Sequence, residues 1–315
     1  MYSKKNQKRC VWICQSDPTP VVDIVMPAYN HEKFIDQAIR SILMQKTKYS
    51  YKIHIGEDCS TDGTRKILLD FYNDNPDKIE LCLWKKNVGG PNNVLELVKR
   101  CRGKYIAYLE GDDYWTDSLK LEKQISFLES HMEYIGTVHN VRCVDKNGIL
   151  LHLDFGLYPI LEEHIYNERQ ASRFEMASQT ASLIHRNIWK EMREKELEDF
   201  FAYKGNGDVK IQMFLGLLGD IYYFRDIMAD HRRVFQGDSW TARSNSKNML
   251  WHHYKIYKDI QAYLQMRRGI SLSIENVFDF SFEESFERVL GTFTKENLDV
   301  YWKFLKRKIL KIFRE

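Results

Sequence analysis

Between residues 21 and 131 the chain alternates short β-branched runs with stretches whose apolar residues recur at helical spacing, and no other feature constrains the fold as much. Strand, helix, strand is the repeating unit of a parallel sheet, because parallel neighbours need a crossover that returns the chain to the same edge. The first strand is read at Val21–Met26, and the following helix carries Phe34, Ile35, Ala38, Ile39, Ile42 and Leu43 in one stripe. A second strand lies near Tyr51–Ile55, a helix with Ile67, Leu68, Phe71 and Tyr72 on one face follows, and Ile79–Trp84 is the third strand. Pro91 suits a helix first turn, with Val94, Leu95, Val98 and Cys101 as its buried side. Lys104–Leu109 is the fourth strand, and a helix follows near Ser118–His131. Beyond it, Ile135–Val144, the turn Asp145-Lys146-Asn147-Gly148 and Ile149–Leu153 predict a β-hairpin. Residues 155–240 are mixed, and residues 250–315 read as helical and rich in aromatics.

Composition excludes several classes. With 43% hydrophobic and 29% charged residues, 16 glycines and 6 prolines in 315, the chain is neither disordered nor collagen-like. Cys10, Cys14, Cys59, Cys82, Cys101 and Cys143 lack the paired spacing of a structural zinc site and are expected to be reduced and mostly buried. Val11–Cys14 is too short for a signal sequence or a membrane span, so the expected location is cytoplasmic, at most peripheral on the inner face of the membrane. A formal charge of +3 gives no reason to expect nucleic acid as a partner.

In open α/β sheets, ligands bind beyond the carboxyl ends of the strands. The residues there are polar: Pro27-Ala28-Tyr29-Asn30 after the first strand, Glu57-Asp58-Cys59-Ser60-Thr61-Asp62-Gly63-Thr64 after the second, Asn87-Val88-Gly89-Gly90 after the third, and Glu110-Gly111-Asp112-Asp113 after the fourth. Singly, each is ordinary helix-cap or turn chemistry. Together they fall on one sheet edge, within reach of one ligand. Glu110, Asp112 and Asp113 place three acids in four residues; they repel one another in isolation and are expected to gather round a divalent cation.

In these motifs the chain resembles glycosyltransferase family 2, the inverting GT-A enzymes, over residues 21 to about 131. Pro27–Asn30 matches the family's Pro-x-Tyr-Asn, Glu57–Asp62 its Asp-Asp-Gly-Ser-Thr-Asp, and Glu110–Asp113 its Asp-x-Asp-Asp, with Glu57 and Glu110 replacing aspartates and Cys59 replacing glycine. The resemblance implies a GT-A fold: a Rossmann-like, mainly parallel α/β sheet with a C-terminal acceptor-side lobe and a helical tail. It implies a nucleoside-diphosphate sugar donor, uracil being the expected base. Pro27, Ala28, Tyr29, Asn30, Asn87, Glu110, Gly111 and Asp113 would line the donor nucleotide, Asp58 would hydrogen-bond its base, and Asp112 would bind the Mn2+ or Mg2+ that bridges the diphosphate.

The second half extends the likeness. Gly207-Asp208 before an apolar helical run resembles the family's general-base motif, which gives Asp208 the role of taking the acceptor hydroxyl's proton. Gln179-Thr180-Ala181-Ser182-Leu183-Ile184-His185-Arg186 resembles the strand before that motif, and the segment from His231-Arg232-Arg233 to Trp240 resembles the loop that closes over the diphosphate. Arg232 and Arg233 are read as diphosphate clamps; Trp115, Gln179, Thr180, His231 and Trp240 are read on the acceptor side. The resulting organisation is an N-terminal extension at 1–20, a catalytic domain at 21–240 divided at 131/132, and a helical region at 241–315.

The acceptor class implied is a glycan or lipid-linked glycan. Residues 298–315 form a basic amphipathic helix with two fates, docking on the catalytic domain or peripheral contact with an anionic membrane, and a homo-oligomer is left open. Two alternatives remain beside the transferase: a nucleotidyltransferase, though the basic Gly-rich loop it needs is absent, and a non-catalytic sugar-nucleotide-binding scaffold.

Overall fold

The computed structural model describes residues 10–15, 18–151, 162–172, 177–202, 207–233 and 260. The βα units follow the hydrophobic pattern closely. They are β2 (Val22–Ala28), α1 (Ile35–Leu43), β3 (Tyr51–Glu57), α2 (Thr64–Asp74), β4 (Ile79–Leu83), α3 (Gly90–Arg100) and β5 (Tyr105–Tyr108). These strands are parallel neighbours in the order β4-β3-β2-β5, with Ile24 opposite both Ile53 and Ala107. Strands covered on both faces have no solvent side, so apolar residues run nearly continuously through β2 and β5. One face packs Ile24, Met26, Ile53 and Leu81 against Ile35, Ala38, Ile39 and Ile42 of α1 and Leu68 of α2. The other lies under α3, where Gly56 leaves room for the Asn93 amide: a Cβ on Gly56 would stand 2.0 Å from Asn93 Oδ1.

Within the segment read as an N-terminal extension, Val11–Ile13 belongs to the sheet. β1 (Val11–Ile13) pairs antiparallel with β4, Trp12 opposite Cys82, and its apolar residues gain cover that an unpaired arm would lack.

After β6 (Tyr114–Trp115) and α4 (Lys120–Ser130), β7 (Tyr134–Val144) leads into the expected turn, closed by Gly148 N–H to Asp145 O at 3.0 Å and Asp145 N–H to Ile149 O at 2.8 Å. The hairpin is a minor part of this pairing. β7 runs mainly beside β10 (Asp220–Arg232), in parallel, and β10 also borders β8 (His164–Tyr166) and β6. Such long-range pairing leaves no local sequence signal. β9 (Ile184–Arg186), antiparallel to both β5 and β7, completes a ten-stranded mixed sheet among the described residues.

The chain divides into two compact units, 1–166 with 177–204 and 219–233, and 167–176 with 205–218 and 234–315. The first holds the sheet and α6 (Glu194–Phe201), which packs on α3. In the second, α5 (Glu168–Ser172) packs on α7 (Gly207–Leu218), which buries Met213, Phe214 and Leu215. All six cysteines are free; Cys82, Cys101 and Cys143 are buried and Cys14 is exposed. No helix of the described residues is long and apolar enough to cross a membrane.

Candidate active site

Two loops at the carboxyl edge of the parallel strands are joined side chain to backbone. Asn30 turns the chain with φ +57°, which an Asn tolerates better than most residues, and its N–H donates to Ser60 Oγ at 3.0 Å. Its own Oδ1 accepts from Thr61 N–H at 2.8 Å. His31 N–H donates to Thr64 Oγ1 at 2.8 Å and Glu32 N–H to Asp62 Oδ2 at 3.0 Å, so α1 and α2 begin in a fixed relation. Cys59 has φ +59°, a conformation that favours glycine, which explains why the resembling motif carries Gly at this place. Tyr29 is left exposed above this seam.

Asp58 is buried, and its carboxylate accepts Val88 N–H at 2.6 Å and Gly89 N–H at 2.9 Å. Burial raises its pKa, and the two backbone bonds only partly offset that. It therefore clips the β4–α3 loop, with exposed Asn87, against β3.

The acidic turn does not converge. Asp113 points inward, 1% exposed, accepting Arg232 N–H at 2.7 Å and facing His231 Nδ1 at 3.1 Å. Asp112 points outward, its carboxylate one-third exposed and accepting no hydrogen bond from the described residues; His31 Nε2 stands 4.0 Å from its Oδ1. The expected grip of three carboxylates on one cation is therefore corrected, because the Arg232 N–H and the His231 ring, both of β10, draw Asp113 away. Glu110 is half-buried at the same turn. Asp112 by itself still fits a divalent cation, since magnesium-type sites commonly use one or two carboxylates and leave the remaining positions to water and phosphate.

Among the described residues, the one trio of ligand atoms lying within 4.8 Å of one another is Asp23, His54 and Cys101. That group is an ion-pair lock. His54 Nε2 meets Asp23 Oδ1 at 2.7 Å, a hydrogen-bond distance shorter than the roughly 3 Å or more that separates two ligands of one zinc. His54 Nδ1 faces Glu80 Oε2 at 3.2 Å, Arg100 Nε reaches Glu80 at 2.9 Å, and Asp23 Oδ2 accepts Arg102 and Gly103 N–H.

Two further expectations are corrected. Arg232 is not a diphosphate clamp: its guanidinium is buried over the Phe34 ring at 4.4 Å, donates to the Asp112 carbonyl and reaches Gln37 Oε1 at 2.8 Å. It props up the acidic turn from behind, a role Gln37 and Phe34 gave no sequence signal for. Trp115 is not an acceptor platform: it is 1% exposed, its Nε1–H donates to Ala181 O at 3.0 Å, and Lys120 Nζ lies 4.4 Å over its ring. Its burial follows from β6 pairing with β10.

The other residues are placed as follows. Gln179 and Thr180 are half-buried, as the cap and first residue of a 3-10 turn (Thr180–Ser182) that precedes β9, at the same sheet edge as the acidic turn because β9 runs antiparallel to β5. Burial works against charge on His231, but Asp113, with Glu110 and Asp112 beyond it, lifts its pKa to about 9. Arg233 donates its N–H to Val144 O at 2.8 Å. Asp208 is the second residue of α7, in the other compact unit. Trp240 and the segment 298–315, read from sequence as a basic amphipathic helix, lie outside the described residues. Sequence reasoning passed over His31; its place directly after the Pro-x-Tyr-Asn match was the available signal.

Comparison with known proteins bears on the family and the fold. The model of the family Glycosyl transferase family 2 matches residues 23–193. An uncharacterised protein of Mycobacterium tuberculosis is 27% identical over 259 residues, 82% of this chain and 68% of that protein. The Escherichia coli protein WfgD, named as a UDP-Glc:alpha-D-GlcNAc-diphosphoundecaprenol beta-1,3-glucosyltransferase, is 33% identical over 131 residues, 41% of this chain and 49% of WfgD. Among solved structures, S. aureus TarS 1-349 in complex with UDP-GlcNAc superposes with a TM-score of 0.57 at 16% identity, covering 81% of this chain and 69% of that one, so the fold is shared.

Proposed function

The chain belongs to glycosyl transferase family 2, and from that premise we propose that it moves a sugar from a uridine-diphosphate donor to a hydroxyl of a glycan or lipid-linked glycan, with inversion. The observation that carries this reading is the open carboxylate of Asp112 beside the Tyr29-Asn30 and Cys59–Thr61 seam. A lipid-carried acceptor is proposed on the likeness to WfgD, whose name specifies one.

Asp112 would hold a divalent cation, manganese or magnesium, which family members often use. When bound, such an ion neutralises the charge growing on the departing diphosphate. The chain's residues divide the remaining work. The clip from Asp58 to Val88 and Gly89 supports a wall for the base, with Pro27, Ala28, Tyr29 and Asn30 opposite and Asn87 at its rim. Glu110 would meet the ribose and Gly111 keeps the turn close to β2, while Asp113 acts indirectly by anchoring His231 and Arg232. Arg233 is a cation for the diphosphate side, and Gln179, Thr180, His231 and Trp240 belong to the acceptor side. Asp208 would accept the proton of the attacking hydroxyl, a poor nucleophile until deprotonated.

The test is hydrolysis of a panel of UDP-sugars by the purified protein with and without Mn2+. Metal-dependent release of UDP, lost in Asp112→Asn and Asp208→Asn, is expected. Tight UDP binding without turnover of any donor would favour a scaffold instead.

A further inference from the structure

His31 has no hydrogen-bond partner for either ring nitrogen among the described residues, although it stands in the middle of the proposed donor site. Its Nδ1 is buried against Gly111, where an added Cβ would come within 2.5 Å of it. Its Nε2 lies 4.0 Å from Asp112 Oδ1, beyond hydrogen-bonding range.

This geometry decides the tautomer of the neutral ring. A proton on Nδ1 would be a buried donor with no acceptor, desolvated with no return. On Nε2 the same proton meets solvent and the cleft. A metal bond through Nε2 would force the proton onto Nδ1, and metal-bound histidines regularly give that second N–H to an acceptor, which is missing here. The ring is therefore built as a donor.

Resting on the donor reading above, we propose that His31 binds the donor's diphosphate, its Nε2–H donating to a non-bridging phosphate oxygen next to the cation on Asp112. A carboxylate and an N–H side by side complement a cation–phosphate pair: one takes the metal, the other an oxygen that the metal leaves partly charged. His31 then contributes to holding the leaving group and nothing to the base.

Calorimetric titration of wild type, His31→Ala and His31→Gln tests this with three probes: UDP with Mn2+, uridine, and Mn2+ alone. His31→Ala is expected to weaken UDP binding about ten- to one-hundredfold and leave uridine and Mn2+ unchanged. His31→Gln, with an amide N–H at the same reach, recovers most of the loss. Equal losses for UDP and uridine would reduce His31 to a structural role, and weaker binding of Mn2+ alone would make it a metal ligand; either overturns the proposal, as does undiminished UDP binding. Wild-type protein that binds no UDP fails the donor reading itself, a result separable from failure in the variants alone.

Discussion

The Asp113 carboxylate accepts the backbone N–H of Arg232 at 2.7 Å, tying the turn after β5 to the last residue of β10. One carboxylate of the acidic turn thus serves the fold while its neighbour Asp112 faces solvent, and the two should separate in experiment.

Asp113→Ala leaves the Arg232 N–H and the charged His231 without their acceptor in a buried place, and is expected to cost about 1–3 kcal/mol. Asp112→Asn breaks no hydrogen bond and should stay within about 0.5 kcal/mol of wild type while abolishing metal-dependent UDP-sugar hydrolysis. Denaturant melts run beside the hydrolysis assay check both; an unfolded Asp112→Asn would contradict the division.

At Gly111 a methyl group would meet His31 Nδ1 at 2.5 Å and Ile35 Cδ1 at 2.8 Å. Gly111→Ala is expected to destabilise by about 1–3 kcal/mol through overpacking and to weaken UDP binding along with it, because the His31 ring must move. Gly90→Ala, with nothing within 4 Å, should melt within about 1 kcal/mol of wild type and serves as the control.

Arg232→Met removes the bonds to Gln37 and the Asp112 carbonyl while keeping most of the stem's bulk. The predicted outcome is a lower melting temperature, with donor hydrolysis reduced in proportion to the folded fraction. A stable variant that has lost UDP affinity alone would restore Arg232 as a phosphate clamp.

The Asp23–His54–Glu80 lock predicts a pH profile. Against the effect of burial, hydrogen bonds from His54 and Arg100 hold Glu80 down at about 2, so its contribution is present above its unfolded value of 4.5 and is lost as pH falls toward 2. Burial opposes charge on His54, but Asp23 and Glu80 outweigh it and raise its pKa. That contribution is full below 6.5 and declines as pH rises through the folded value. Urea melts across this range should show the lock strongest between about 4.5 and 6.5. His54→Ala, which takes one ion-pair partner from each of two buried carboxylates, is expected to lose about 3–5 kcal/mol.

The parallel units between Val22 and Tyr108, and the clustering of polar motifs after each strand, were legible in sequence because both are local. Helical stripes and β-branched runs report burial within a few residues, and the order of βα units determines which strand ends face the ligand. The expectation of a cation at Asp112 came instead from the likeness of Glu110–Asp113 to the family motif.

Tertiary structure alone decided which member of each motif points outward. Asp112 and Asp113 are chemically alike and adjacent, and only the Arg232 N–H and the His231 ring of β10, distant in sequence, turn one of them inward. The same strand buried Arg232 and Trp115, and the fit of Gly111 against His31 left that imidazole unpaired beside Asp112. A motif carries residue types, whereas orientation depends on partners from remote segments, and those contacts exist only once the sheet has closed.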